Sequence, residues 1–66
     1  MKNRIRAERA ELRITQQALA EATGVSRQTI NAIETGKFVP STVLALKIAR
    51  LFRKPVEQIF QLEPDD

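Results

Sequence analysis

The apolar positions along the chain recur mainly three and four residues apart, which is the spacing of amphipathic helices. The pattern predicts five helices, over roughly residues 3–13, 16–22, 27–34, 42–52 and 55–60. Short stretches that contain Gly or Pro separate several of them, and these residue types favour helix boundaries over helix interiors. No segment predicts a strand with similar clarity. The sequence therefore indicates an all-α fold class.

Small polar residues mark where three of the predicted helices begin. Thr15, Ser26 and Ser41 precede the second, third and fourth helices, and a hydroxyl there can accept a hydrogen bond from the free N–H groups of the first turn. Gly24 and Gly36 follow the second and third helices, where a left-handed residue commonly ends a helix. These residues predict the helix boundaries independently of the apolar pattern.

The predicted fourth helix is apolar over most of its circumference, and further apolar residues follow it. A helix of that kind is buried on more than one side. We therefore predict a two-fold interface between two copies of the chain, formed by the fourth helix, the fifth helix and the segment after it. The predicted interface residues are Leu44, Ile48, Leu51, Ile59, Phe60 and Leu62. The alternative is that all of these side chains pack into the core of one chain.

The composition narrows the function classes. A chain of 66 residues forms one domain at most. Cys and His are both absent, so there is no disulfide, no thiolate or imidazole metal site and no imidazole general base. We expect no metal, no cofactor and no enzymatic activity. The net charge is +3, but three of the eight acidic residues fall in the last four positions, so residues 1–62 are clearly basic.

Residues 15–37 form the most informative stretch of the sequence. Two short helices are separated by about four residues centred on Gly24, which is a helix-turn-helix arrangement. Ala20 is small enough to let the two helices approach closely, and Gly24 can adopt the positive φ of a sharp turn. With the apolar residues buried between the helices, the first turns of the second helix of the pair point outward. In a helix-turn-helix that exposed end enters the major groove of DNA.

The residues of this stretch resemble the Cro/C1-type (XRE) helix-turn-helix family. The similarity rests on Thr-Gln-Gln-Ala-Leu-Ala at residues 15–20, Gly-Val-Ser at 24–26, Ile-Asn-Ala-Ile-Glu-Thr-Gly-Lys at 30–37 and Pro-Ser at 40–41, and it covers about residues 3–60. The resemblance implies a five-helix lambda-repressor-like DNA-binding domain over residues 1–62, followed by an acidic tail at 63–66. From their terminal position we expect residues 61–66 to be partly extended and the last of them to be disordered. It also implies a small regulator of the bacterial or phage type without a sensor domain.

The resemblance assigns roles to individual residues. It places base contacts at Arg27, Gln28, Asn31 and Ala32. It places phosphate contacts at Gln16, Ser26, Thr29, Thr35 and Lys37, with help from the backbone around Gly36. Arg6 and Arg13, seven residues apart on one side of the first helix, are further candidate phosphate contacts. The resemblance also pairs Arg9 with Glu34 in a partly buried ion pair between the first and third helices. Asn31 suits a base or a phosphate equally, and Arg6 and Arg13 also suit an ordinary solvated helix face.

Two positions depart from the family pattern. Ala18 stands at the third position of the second helix, so the reciprocal capping box of Thr15 cannot form there. Arg13 stands at the junction of the first two helices, where the family commonly has Gly, and a non-Gly residue disfavours a positive φ. Neither departure falls among the residues predicted to contact bases.

The sequence thus predicts a homodimeric, cytoplasmic transcriptional regulator, with repression as the expected outcome, that binds double-stranded DNA at a pseudo-palindromic operator. The N-terminus is charged and lacks the apolar stretch of a signal peptide. No apolar run of residues approaches the length needed to cross a membrane. An alternative function is that of a protein-interaction module, because the apolar C-terminal surface could bind another protein instead of a second copy. An enzyme is the other alternative, and no pair of acidic residues supports it.

Overall fold

Five helices account for most of the chain in the computed structural model, which describes all of residues 1–66. They are α1 (Ile5–Leu12), α2 (Gln16–Thr23), α3 (Arg27–Glu34), α4 (Thr42–Phe52) and α5 (Val56–Ile59). Each lies within or close to its predicted range, and the all-α fold class is confirmed. The longest helix, α4, has 11 residues, so none of the helices is long and apolar enough to span a bilayer.

The three predicted N-caps form as the sequence indicates. Each hydroxyl accepts a hydrogen bond from the backbone N–H three residues later, at 3.0 Å for Thr15, 3.1 Å for Ser26 and 3.2 Å for Ser41. Ala18 has no side-chain acceptor for the backbone N–H of Thr15, so the reciprocal bond of a capping box is missing. Its own backbone N–H donates to the Thr15 hydroxyl. Helix α2 therefore begins with half of a capping box, which is sufficient to fix its first turn.

Left-handed residues follow four of the helices. Gly24 and Gly36 adopt φ of 79° and 78° after α2 and α3, whereas Arg13 and Arg53 adopt φ of 56° after α1 and α4. Arg13 adopts a positive φ although it is not Gly, so the conformation expected from its residue type was wrong. The backbone N–H of Arg13 donates to the carbonyl of Ala10, and such bonds to the last turn of a helix favour the left-handed residue despite its Cβ.

Replacing Arg53 by Gly is expected to raise the free energy of unfolding by about 0.5–1 kcal/mol, because Gly adopts this conformation without steric cost. Urea denaturation measures the change. The control is Arg50→Gly, inside the last turn of α4, which is expected to lower the free energy of unfolding by about the same amount. Equal destabilisation by both substitutions would contradict the left-handed conformation at Arg53.

A two-stranded antiparallel ribbon joins the two ends of the helical domain, and the sequence did not predict it. Strand β1 (Lys2–Asn3) pairs with β2 (Phe60–Gln61), with Asn3 opposite Phe60. The predicted first helix therefore begins two residues later than expected. Asn3 also donates its side-chain N–H to the carbonyl of Ile33 at 2.9 Å, so β1 is attached to the last turn of α3. Strands of two residues carry no detectable period, which explains why the pattern did not reveal them.

The core is made by apolar residues from all five helices and from β2, and α4 packs against both α2 and α5. The fully buried side chains include Ile5, Leu19, Ile30, Ile48 and Ile59. One chain therefore covers most of the apolar side chains that the sequence left without a partner.

This packing corrects the predicted dimer interface. Leu44, Ile48, Ile59 and Phe60 lie in the core of the single chain, so a second copy cannot reach them without opening the fold. Leu51 is half-buried, and Leu62 alone of the six is largely exposed, at 79%. The central position of α4 within one domain explains why this helix is apolar over most of its circumference.

The acidic tail is folded back against the first residue. The backbone N–H of Glu63 donates to the Asp66 carboxylate at 2.7 Å, and the Met1 ammonium lies 3.1 Å from the Glu63 carboxylate and 3.0 Å from that of Asp66. These hydrogen bonds raise the pKa of the Met1 ammonium above its ordinary value. The expectation of a disordered tail was wrong, because its charges find partners beside the ribbon.

Candidate nucleic-acid interface

Helices α2 and α3 pack closely on each other and on the core. Leu19 and Ala20 of α2 and Ile30 and Ile33 of α3 are buried, and the left-handed Gly24 turns the chain between the two helices. The small methyl side chain of Ala20 leaves room for the close crossing that a helix-turn-helix needs. This packing determines which residues of α3 face solvent.

The N-terminal half of α3 presents polar side chains to solvent. Arg27, Gln28 and Asn31 are exposed, and Ala32 is half-buried. The first three thus lie on the face where the sequence placed the base contacts. Ala32 offers only part of its methyl group.

A buried ion pair joins α1 to the end of α3. Arg9 Nε lies 2.5 Å and Arg9 Nη2 lies 3.3 Å from the two carboxylate oxygens of Glu34. The side chains are 17% and 1% exposed respectively, and Arg9 Nη1 donates to the carbonyl of Ile14 at 3.0 Å. Two parallel N–H···O bonds are the strong, geometrically specific form of this interaction.

The charge state of Glu34 follows from these contacts. Burial works to raise its pKa, but the hydrogen bonds from Arg9 and Gln16 and the charges of Arg9 and Arg6 outweigh it and hold the pKa below the ordinary value. Glu34 is therefore an ionised carboxylate at neutral pH. As a carboxylate it can accept hydrogen bonds and cannot donate them.

Gln16 connects this ion pair to the exposed face of α3. Its amide nitrogen donates to Glu34 at 3.0 Å and to Asn31 Oδ1 at 3.1 Å. Its amide oxygen accepts from Arg27 Nη1 at 3.4 Å. The sequence assigned Gln16 to a phosphate, and the structure shows both of its side-chain N–H groups already bonded within the protein.

The backbone at the start of α2 is better placed to bind an anion. The N–H groups of Gln16 and Gln17 have no partner within the protein, because the Thr15 hydroxyl caps only the N–H of Ala18. Free N–H groups at a helix N-terminus, together with the helix dipole, bind phosphate well. Sequence reasoning named the side chain of Gln16 and missed the neighbouring N–H of Gln17, although the N-cap at Thr15 was a signal for it.

The residues at the two ends of α3 are partly engaged within the protein. Ser26 and Thr29 share one hydrogen bond between their hydroxyls at 3.0 Å, which leaves one of the two hydroxyl protons free. The Thr35 hydroxyl donates to the carbonyl of Asn31 at 2.9 Å. The backbone N–H groups of Gly36 and Lys37 donate to carbonyls of α3 at 3.0 and 2.9 Å. The expected contribution of the backbone around Gly36 is therefore corrected, since these groups already end the helix.

The predicted basic residues differ in their surroundings. Lys37 and Arg13 are exposed, and neither makes a side-chain hydrogen bond or ion pair within the protein. Arg6 is 77% exposed and lies 4.0 Å from Glu34, at the limit of an ion pair. Arg13 lies three residues before Gln16, the first residue of α2, and no contact joins its side chain to the free N–H groups there.

A second buried charge cluster lies between α1 and the residues after α4, and the sequence did not reveal it. Glu8 is buried and accepts a hydrogen bond from Lys54 at 2.8 Å, with Glu11 3.5 Å from the same ammonium. The bond from Lys54 lowers the pKa of Glu8. Glu8 and Lys54 lie 46 residues apart, so the sequence gives no signal of their contact. None of the residues in this cluster belongs to the proposed interface.

The geometry defines a class of protein: a small helical DNA-binding domain whose second and third helices form a helix-turn-helix. Residues 5–59 match the family model described as "Helix-turn-helix". The chain belongs to this family, and the predicted resemblance to its Cro/C1-type members is confirmed.

Relatives match along all or nearly all of their length. The chain is 46% identical over 66 residues to an uncharacterized HTH-type transcriptional regulator of Bacillus subtilis, with all of both chains covered. It is 52% identical over 66 residues to one of Methanocaldococcus jannaschii, again with both chains fully covered. One of Methanothermobacter thermautotrophicus is also 52% identical, covering 98% of this chain and 96% of the relative.

Proposed function

We propose that the protein is a transcriptional regulator that binds a specific double-stranded DNA sequence as a homodimer and represses transcription. Helix α3 enters the major groove, and no chemical step is involved. The observation that carries the proposal is the polar, exposed N-terminal half of α3, supported on a buried ion pair within a helix-turn-helix. The relatives are named as HTH-type transcriptional regulators, which agrees with regulation of transcription.

The side chains on α3 have the chemistry for base contacts. Arg27 can donate two hydrogen bonds to guanine O6 and N7, and Gln28 can bond adenine at N6 and N7. Asn31 lies one turn further along the same face. The methyl group of Ala32 can contact the C5-methyl group of thymine, to the extent that it is exposed.

Phosphate groups on either side of the groove fix the position of the domain. On one side we propose the free N–H groups of Gln16 and Gln17 and the exposed side chain of Arg13. On the other side the Lys37 ammonium follows α3, and the free proton of the Ser26–Thr29 pair is available at its start. We also propose phosphate contacts by Thr35 and Arg6. Thr35 must first exchange the hydrogen bond that its hydroxyl donates to the Asn31 carbonyl, and Arg6 must reach beyond its present position beside Glu34.

A homodimer needs a surface that the single chain leaves exposed. Leu62 is the one residue of the predicted interface that is largely exposed. Val43 and Leu46 are also exposed, on the outer face of α4. Lys47 and Arg50 line the same groove as Val43 and Leu46. We propose that a second copy covers apolar residues of this kind. The alternative is that a different protein binds the same surface. An inverted-repeat operator would indicate the homodimer, and a single half-site would contradict it.

Repression is proposed because it requires only occupancy of the duplex. A domain seated in the major groove blocks other proteins from the same base pairs. A dimer built on a two-fold axis places its two copies of α3 about one helical turn apart, roughly 10 bp, on a pseudo-palindromic operator.

The decisive test is a selection of binding sites from random duplex DNA at near-physiological salt, run with the native protein and with the double variant Arg27→Ala/Gln28→Ala. The native protein is expected to enrich an inverted repeat. The double variant is expected to lose at least about 2 kcal/mol of discrimination, roughly thirtyfold, while keeping weak, salt-sensitive binding through phosphates.

The matched control is Arg53→Gly, which removes an exposed cation at the end of α4 that belongs to neither proposed surface, and it is expected to leave the selected motif unchanged. A motif consisting of a single half-site would contradict the homodimer and leave base recognition intact. If no motif emerges and all three proteins bind random DNA equally, recognition by α3 is wrong and a protein partner becomes the function to pursue.

A further inference from the structure

We infer that the homodimer is held by a reciprocal exchange, in which the tail of each copy (residues 62–66) lies in a groove on the outer face of α4 of the other copy. The inference rests on the proposed function, which supplies the second copy, and it names the two surfaces that meet. Leu62 covers the apolar half of the groove, and Asp65 pairs with the cations of its other half.

The groove on α4 has an apolar half and a basic half. It has a volume of about 280 Å³ and is lined by Val43, Leu46, Lys47 and Arg50, which lie on one face over about two turns of the helix. Val43 is 64% exposed and Leu46 is 53% exposed. Adjacent apolar side chains that stay exposed and have polar neighbours are a common feature of surfaces that bind another protein.

The two cations of the groove have no acidic partner within their own chain. Residues 35–56 contain no Asp or Glu, and the ion pairs of the structure use other cations. A phosphate group would satisfy the charges but leave the apolar half of the groove uncovered. The occupant that complements both halves therefore carries an apolar side chain and an acidic one close together.

The tail of the chain has this chemistry. Leu62 is 79% exposed, and Asp65 is exposed with no hydrogen bond or ion pair from its carboxylate. Glu63 and Asp66 are instead engaged with the Met1 ammonium, and the backbone N–H of Asp66 donates to the carbonyl of Glu63 at 2.9 Å. These bonds keep the tail folded and leave its apolar side chain and one carboxylate available to a second copy.

The spans of the two surfaces are compatible. Val43 and Arg50 mark the ends of the groove and are seven residues apart on a helix, which corresponds to about 10 Å. Leu62 and Asp65 are three residues apart and can be separated by at most about 10 Å. One tail can therefore reach the apolar and the basic half of one groove at the same time.

An exchange of tails suits two copies better than direct contact between their α4 helices. Packing α4 against α4 across a two-fold axis would bring Lys47 and Arg50 towards the same cations of the second copy, with no acidic residue on either helix to compensate. In the exchange each copy gives one tail and receives one, so the two contacts are equivalent and both are complementary in charge. The folded tail also loses less conformational entropy on association than a disordered one would.

The test is a charge swap that only this exchange repairs. Arg50→Glu reverses a groove charge and Asp65→Arg reverses a tail charge, so each variant has like charges at both contacts of its own homodimer. Each variant alone is expected to raise the Kd of the dimer about tenfold or more, measured by sedimentation equilibrium at low salt. An equal mixture of the two is expected to form heterodimers with close to native affinity, detected by native mass spectrometry. In the heterodimer the reversed groove meets the reversed tail, and the native groove meets the native tail.

Two further variants complete the experiment. Leu62→Ala removes the apolar contact without changing any charge and is expected to raise the Kd of the dimer about tenfold or more. The matched control is Arg53→Glu, which makes the same charge change as Arg50→Glu at an exposed cation outside the groove. It is expected to change the Kd by no more than about twofold. Thermal melts followed by circular dichroism confirm that each variant is folded.

The outcomes separate this inference from the proposed function. If the native protein stays monomeric and selects only a single half-site, the homodimer fails and the inference fails with it. If the native protein dimerises but the mixture does not recover affinity, or Leu62→Ala leaves the Kd unchanged, the inference alone is overturned. Species that grow beyond a dimer with rising protein concentration would show tails and grooves joined head to tail, which also overturns the two-fold exchange.

Discussion

Replacing Arg9 by Met is expected to lower the free energy of unfolding by about 3 kcal/mol at neutral pH. The substitution keeps most of the aliphatic packing but leaves the Glu34 carboxylate buried with its principal partner removed, and a buried charge that loses its partner is strongly destabilising. The carbonyl of Ile14 loses its donor at the same time. Chemical denaturation of the two proteins at pH 7 measures the difference.

The effect of Arg9→Met should depend on pH in a defined direction. In the native protein the pKa of Glu34 is lowered, so its ionised form contributes stability above the ordinary pKa and that contribution is lost as the pH falls. In the variant, burial acts on Glu34 without the Arg9 bonds and favours the neutral form. The difference between the two proteins is therefore expected to be largest at neutral pH and to shrink below about pH 4.

The matched control is Arg6→Met. Arg6 also faces Glu34, but at 4.0 Å and with a largely exposed side chain. The change in the free energy of unfolding is expected to stay within about 0.5 kcal/mol. Equal effects of the two substitutions, or an Arg9→Met effect that does not vary with pH, would mean that the ion pair does not stabilise the fold as described.

The second large effect is expected at Ile48. Because this side chain is fully buried in the core of one chain, Ile48→Ala should lower the free energy of unfolding by about 2–5 kcal/mol. Ile48→Val, which removes a single methylene, should cost about 0.5–1.5 kcal/mol and remains measurable if the Ala variant does not fold. Leu62→Ala, at the exposed position, is the control and should change monomer stability by less than about 0.5 kcal/mol.

Protein concentration distinguishes core from interface. Loss of a residue in the core lowers stability equally at all protein concentrations, whereas loss of an interface residue acts through the association equilibrium. The Ile48→Val deficit is therefore expected to be independent of concentration. A deficit that appears only at concentrations where the protein is dimeric would restore Ile48 to the interface, as the sequence alone had suggested.

The helices, their caps and the ion pair could be anticipated because each leaves a local or motif-based signal. Thr15, Ser26 and Ser41 mark helix starts within a few residues of the hydrogen bonds that they accept. Arg9 and Glu34 lie 25 residues apart, and only the resemblance to a family linked them. Within the site, the sequence named Gln16, Arg27 and Asn31 separately. It could not show that one amide joins all three, since that depends on side-chain positions across two helices.

The interface prediction failed for a reason that a sequence cannot resolve. The apolar character of α4 showed that more than one side of it must be covered, but not by what. In the structure α2 and α5 cover its inner side, and Ile48 is enclosed between elements of one chain, whereas Val43 and Leu46 stay exposed on its outer side. The ribbon β1–β2 likewise escaped notice, because its pairing joins Asn3 to Phe60 over almost the whole length of the chain.

The ribbon has a consequence for how this domain can be joined to others. Because β1 and β2 lie side by side, the chain enters and leaves the helical core at neighbouring points, and the path of the backbone is nearly a closed ring. Domains with adjacent ends are tolerated as insertions within loops of larger proteins and as circular permutants. The same helix-turn-helix can therefore be carried inside another chain, with both connections on one side, without unwinding α1 or α5.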